Sequence, residues 1–203
     1  QGPAIAEADI KKLYEKLDTL SDGDILVLAG SIPDVMPGSM YMDIMRHLQN
    51  KDLKIVVDAT KDLLVNVLQY HPFLIKPNNH ELGEIFGVKI ESKADVITYA
   101  KKMQEMGAKN VLVSMAGEGA VFVGENGEVY ESEAPKGKLV NSTGAGDSMV
   151  AGFLAGYMEK QDFTYFQKRV SDLTEFQAQK KKPFVQWQTL WKRAEKYQIR
   201  MLM

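Results

Sequence analysis

At 203 residues, with 45% apolar and 26% charged side chains and a net charge of −2, the chain suits one globular domain and not a disordered polymer. No apolar run approaches the ~18 residues that span a bilayer, and no basic-then-apolar leader opens the sequence, so no membrane partner and a cytoplasmic setting are expected. The absence of cysteine excludes disulfide frameworks, thiolate metal sites and a cysteine nucleophile, and the three histidines (His47, His71, His80) form no HExxH zinc pair.

Residues 6–20 place Ile10, Leu13, Leu17 and Leu20 on one helical face. Asp24–Gly30 is a short apolar run that breaks into Gly-Ser-Ile-Pro, the pattern of a buried strand ending in a turn. A helix is predicted over Ser39–Gln49, a strand over Lys54–Thr60, an amphipathic segment over Lys61–Tyr70, and a strand over Phe73–Lys76 stopped by Pro77. Helices near Asn79–Phe86 and Ser92–Met106 precede a strand at Asn110–Met115. Ala120–Gly124 and Glu128–Glu131, joined through Glu125-Asn126-Gly127, read as a hairpin. Gly144–Tyr157 opens with glycine and continues as an apolar helix. Continuous apolar strands alternating with helices predict an α/β fold, a doubly wound, mostly parallel sheet with helices on both faces. Ligands of such sheets sit outside the carboxyl ends of the strands, which selects Gly30-Ser31, Asp58, Lys76-Pro77-Asn78 and Ser114.

Beyond Asp162 the character changes. None of the sixteen glycines lies after Gly156, while both tryptophans and Lys180-Lys181-Lys182 fall in that stretch. From Phe163 onward nine Lys/Arg face three Asp/Glu, against sixteen facing twenty-four before it. A basic run near aromatics is one form of nucleic-acid patch. The plainer reading is a solvated helix or disordered extension, so no nucleic-acid partner is expected. The chain therefore divides at 1–162 and 163–203, the second part reading as foreign or frameshifted sequence, helical or disordered.

The strongest chemical signal is Asn141-Ser142-Thr143-Gly144-Ala145-Gly146-Asp147 ahead of a helix. Small residues let backbone N–H groups close on an anion, and the helix N-terminus adds partial positive charge, so Gly144, Ala145 and Gly146 make an anion hole. Asp147 falls in the first turn, where the dipole favours the ionised carboxylate. There it is positioned to take a proton from an attacking hydroxyl. The same residues also read as a Gly-rich turn with an aspartate at a helix start. In Lys76-Pro77-Asn78-Asn79-His80-Glu81, a lysine can meet phosphate and a carboxylate can organise magnesium through waters. A helix-capping turn accounts for that stretch equally well. Ser114-Met115-Ala116-Gly117-Glu118-Gly119 has the composition of a nucleotide loop, but a strand follows it, so it is no dinucleotide fingerprint. No GxxxxGK[ST] loop occurs.

Together these blocks, from Gly2 to about Asp162, resemble the ribokinase-like (pfkB) carbohydrate kinases. The resemblance implies ATP and Mg²⁺ as cofactors and a sugar phosphate as the other substrate. It makes Asp147 the catalytic base at the sugar hydroxyl, and Gly144, Ala145 and Gly146 the anion hole. It places Lys76, Asn78, Ser114, Gly117, Gly119, Gly144 and Gly146 against the nucleotide. Asn78 and Glu81 match the Asn-x-x-Glu motif that governs magnesium, and Ser31 matches the Gly-Ser-x-Pro turn bordering the sugar. The wording is closest to the fructose-phosphate members, which implies transfer from ATP to the 6-hydroxyl of fructose 1-phosphate. A tagatose-6-phosphate kinase and a non-catalytic nucleotide-binding remnant are the alternatives. Ala116 stands where the Ser-x-Gly-x-x-Gly nucleotide loop has its middle glycine. The family's first strands, sugar lid and Gly-Gly signature are not in this sequence. The expectation is a truncated kinase of little activity, with the lid-mediated homodimer of full-length relatives left open.

Overall fold

The structure, a computed structural model, describes residues 5–32, 36–134, 144–160 and 199–202. In chain order, α1 (Glu7–Asp18) leads to β1 (Ile25–Ala29), α2 (Met40–His47) and β2 (Lys54–Asp58). Next come α3 (Lys61–Val65), β3 (Leu74–Ile75), α4 (Asn79–Phe86), α5 (Lys93–Glu105) and β4 (Asn110–Ser114). β5 (Ala120–Val123) and β6 (Val129–Ser132) form the hairpin, and α6 (Ala145–Lys160) and β7 (Ile199–Leu202) complete the fold.

The seven strands form one sheet in the order β6-β5-β4-β3-β2-β1-β7. The pairs β7–β1, β1–β2, β2–β3 and β3–β4 are parallel, and the pairs β4–β5 and β5–β6 are antiparallel. Strand residues alternate between two apolar layers, as the pleat requires. Leu26, Leu28, Val57, Ile75, Val111 and Val113 face the layer built with Leu17, Ile44, Leu64, Leu82, Val96 and Met103 from α1 to α5. Ile25, Val27, Val56, Leu74, Leu112 and Phe122 face the opposite layer, where α6 contributes Met149, Val150, Phe153 and Leu154. Helices thus cover both faces, and the doubly wound α/β expectation is met. Among the described residues no helix is long and apolar enough to cross a membrane.

Local chemistry explains most boundaries. α4 and α5 each start in a capping box, Asn78 with Glu81 and Ser92 with Asp95, and α4 stops at Gly87 in the left-handed conformation. The predicted hairpin forms, with Gly127 at φ +88° and Gly124 N–H donating to the Glu128 carbonyl at 2.9 Å.

The amphipathic stretch Lys61–Tyr70 divides in two: α3 ends at Val65, and Leu68–Tyr70 is a separate 3₁₀ turn closed by His71 at φ +53°. That break lets Leu64, Val67 and Leu68 all reach the core. The Phe73–Lys76 strand shrinks to Leu74–Ile75, and the Phe73 carbonyl accepts a hydrogen bond from Asn110 Nδ2 at 2.7 Å. Residues 199–202, expected to be helical or disordered, are a strand paired with β1 in the register Ile25↔Ile199 to Leu28↔Leu202. All five β1 residues are buried, and a neighbour on that edge satisfies backbone groups that water does not reach. Residues 163–198 lie outside the described residues, and so does the expectation made for them.

Candidate active site

The carboxyl ends of four parallel strands are fastened to one another by backbone hydrogen bonds. Gly30 N–H donates to the Asp58 carbonyl at 3.0 Å, Lys76 N–H to Val57 at 3.1 Å, and Ser114 N–H to Pro77 at 3.1 Å. Asn78 and Ser114 also form a parallel bridge. The residues that follow β1, β2, β3 and β4 are therefore held side by side, and α6 brings a helix N-terminus to the same end of the sheet.

The register of β2 and β3 pairs Val57 with Ile75, both in the α1–α5 layer. Asp58 and Lys76, one residue further on, consequently turn toward the α6 face. Lys76 Nζ lies 3.1 Å from Asp58 Oδ1, with side-chain exposures of 8% and 19%. It also lies against the first turn of α6, since a Cβ at Gly146 would sit only 3.2 Å from Lys76 Nζ. The absent side chain at Gly146 lets the ammonium approach the α6 backbone. Gly144 takes φ +78°, and its carbonyl accepts hydrogen bonds from Ser148 N–H at 2.9 Å and Ser148 Oγ at 2.8 Å. Asn141-Ser142-Thr143 lies outside the described residues.

Asp147, in the first turn of α6, is half-buried. Burial pushes its carboxyl above the ordinary value of 3.8, the Asp58 charge pushes it further, and Lys76 opposes both. Desolvation and a second carboxylate act against the helix dipole, which favours the ionised form. A raised carboxyl is better matched to accepting a proton than an ordinary one. Asp58 is raised as well, by burial, with Lys76 again opposing through charge and hydrogen bond. The Tyr41 hydroxyl donates to the Gly30 carbonyl at 3.2 Å, and burial together with the Asp58 charge pushes it up to about 12.

Lys76, Gly146 and Asp147 are thus brought together. Asn78 and Glu81 are brought together differently. Asn78 Oδ1 accepts from Glu81 N–H at 2.9 Å, and Glu81 Oε2 accepts from Asn78 N–H at 2.8 Å. The motif read for magnesium is, in this structure, also the helix cap. Among the described residues no group of three or more His, Asp or Glu side chains stands ready for a metal. Hydrated magnesium needs only one or two protein carboxylates beside substrate phosphates, so the donor set fits that mode of binding.

Ser114 ends β4, Gly117 lies in the 3₁₀ segment Ala116–Glu118 that follows, and Gly119 closes that segment. Gly119 has φ +93°, and a Cβ there would lie 1.9 Å from the Ser132 carbonyl, so no other residue fits. Ala116, replacing the family's middle glycine, is held at φ +48°. Ser31 is exposed beyond Gly30, itself at φ +92°.

Asp58 and Tyr41 received no role from the sequence. Asp58 carried one usable signal, its place at a strand end among the positions where ligands collect. Tyr41 carried none, because its partner Gly30 precedes it by eleven residues on another element.

Comparison with known proteins gives concordant findings. The model of the pfkB family of carbohydrate kinases matches residues 1–184, past residue 162, where the sequence pattern changes. The 1-phosphofructokinase of Bacillus subtilis is 49% identical over 156 residues, 77% of this chain and 51% of that protein. The D-tagatose-1-phosphate kinase of Bacillus licheniformis is 35% identical over 155 residues, 76% of this chain and 51% of its own. Phosphofructokinase-2 from Escherichia coli, solved with substrates and products, superposes with a TM-score of 0.81 at 25% identity, covering 87% of this chain and 58% of that one. The chain spans about half the length of the curated relatives it matches.

Proposed function

Because the chain belongs to the pfkB family of carbohydrate kinases, we propose that it carries the phosphoryl-transfer portion of an ATP-dependent sugar-phosphate kinase of the 1-phosphofructokinase type. The observation that carries this reading is the meeting of Asp147, Gly146 and buried Lys76 at the α6 N-terminus. In the proposed reaction the 6-hydroxyl of fructose 1-phosphate attacks the γ-phosphorus of ATP while Asp147 takes its proton. The γ-phosphorus–oxygen bond breaks, and ADP leaves with the bonding electrons. Backbone N–H groups of Gly144, Ala145 and Gly146, with Lys76, offset charge on the phosphoryl oxygens. Ser114, Gly117, Gly119 and Asn78 border the nucleotide, and Ser31 the sugar. Glu81, with Asn78, would hold hydrated Mg²⁺, which supplies charge neutralisation between the phosphates.

A base at this place is worth ~10²–10⁴ in rate. In a full-length version completed with the unmatched part of the Bacillus subtilis relative, Asp147→Asn should lower ADP release by that factor and leave ATP affinity within a few-fold. Near-normal turnover would remove Asp147 from the role. The chain alone should bind ATP yet release little ADP, because orientation of the attacking hydroxyl is worth ~7–11 kcal/mol and the sugar lid belongs to the rest of the fold. The 35% identity to a D-tagatose-1-phosphate kinase makes a tagatose phosphate the second acceptor to assay.

A further inference from the structure

We infer that Asp58 is the resident counterion of Lys76, a positioning residue that holds the buried ammonium at the α6 turn until phosphate oxygens displace it. The inference rests on the proposed phosphate site and adds to it the group that occupies the lysine in the empty state. Lys76 is more than nine-tenths buried, and a buried ammonium needs a counter-charge to stay charged and in place. Asp58 supplies that charge at 3.1 Å, from the neighbouring strand and at the same level of the sheet. The same Nζ lies beside Gly146, where a phosphoryl group would meet the helix N-terminus. One ammonium is therefore contested by a resident carboxylate and an incoming anion.

The arrangement also sets a sign. Asp147 is a second carboxyl group that feels the charges of both Asp58 and Lys76, so the empty site holds two carboxyl groups around one ammonium. An arriving anion meets their repulsion and must draw Lys76 away from Asp58. Neutralising Asp58 should therefore strengthen anion binding. An ordinary structural ion pair, not contested by the anion, predicts no such gain.

The test uses the full chain and inorganic pyrophosphate without metal, followed by calorimetry and thermal unfolding. Asp58→Asn should bind pyrophosphate at least tenfold more tightly than wild type, about 1.4 kcal/mol, and gain more stability from it. Lys76→Met should abolish the response. Unchanged or weaker pyrophosphate binding by folded Asp58→Asn overturns the counterion role and leaves the phosphate site intact. No pyrophosphate binding by any form overturns both. Should Asp58→Asn not fold, the Asp58 carboxylate carbon of the wild-type chain is followed by NMR during the titration. Its signal should move as pyrophosphate saturates; a fixed signal under saturating pyrophosphate refutes displacement.

Discussion

Ala116 is an alanine held at φ +48°, in the turn between β4 and β5. In the left-handed region an L-residue crowds its Cβ against the following carbonyl, at ~1–2 kcal/mol. The side chain is exposed, so its methyl group buries nothing in return. Ala116→Gly removes that crowding, while the freer glycine stabilises the unfolded chain by ~0.4–1 kcal/mol. The difference is a net gain of about 0.5–1 kcal/mol. For a chain of this length it should raise the midpoint of thermal unfolding by ~1–4 °C. Circular dichroism at 222 nm, with urea titration as an independent measure, resolves a change of that size. A variant less stable than wild type by more than ~0.5 kcal/mol would refute the reasoning, because it would mean that Ala116 does not take this backbone conformation in the folded state.

Asn110 is fully buried and spans two elements, donating to the Phe73 carbonyl and accepting from Glu125 N–H. Asn110→Ala should cost ~1–3 kcal/mol in urea unfolding, since the Phe73 carbonyl loses its bond inside the core and the Glu125 N–H loses a part-buried one. Asp147→Asn should act in the opposite direction at neutral pH. The raised carboxyl binds its proton more tightly folded than unfolded, so its contribution to stability is present below 3.8 and lost as pH rises through the raised value. The variant should therefore be more stable than wild type at pH 7, with the advantage shrinking toward pH 4; a gap that widens on acidification would contradict the assigned direction. Glu81→Gln should raise the magnesium concentration needed for half-maximal ATP binding, and an unchanged titration would confine Glu81 to its capping role.

The parallel sheet was legible because β1 throughout, and β2 and β4 at their centres, are continuously apolar, the pattern of strands covered on both faces. Lys76, Asn78, Glu81 and Asp147 were legible because fixed local spacings place them at strand ends and helix starts. What stayed hidden depends on partners distant in sequence. A single aspartate after an apolar run marks the end of countless strands. Only the β2–β3 register, eighteen residues apart in sequence, sets Asp58 beside Lys76. Tyr41 reads as an interior helix residue until its hydroxyl is seen on Gly30. Ala116 looked like one extra methyl group, whereas the constraint lies in φ, which composition does not report. Residues 199–202 are too few to show a period, and the unpaired edge of β1 accounts for their being a strand.

The site also departs from what stability alone favours. A core gains most from apolar side chains, yet here Asp58, Lys76, Tyr41 and the half-buried Asp147 gather where strand ends and a helix start converge. Burial raises both carboxyls, and one ammonium offsets two of them only in part. Such local conflict is expected where chemistry is done, because groups that satisfied one another completely would have nothing left for a substrate. On the proposed function, phosphate oxygens would complete the charge balance: they would take Lys76, and a hydroxyl proton accepted by Asp147 would remove one negative charge. Neutralising either carboxylate should therefore strengthen ground-state binding of a bare anion, and only the change at Asp147 should abolish proton transfer. That separation of binding from turnover distinguishes a working site from a cluster of ions that merely caps the sheet.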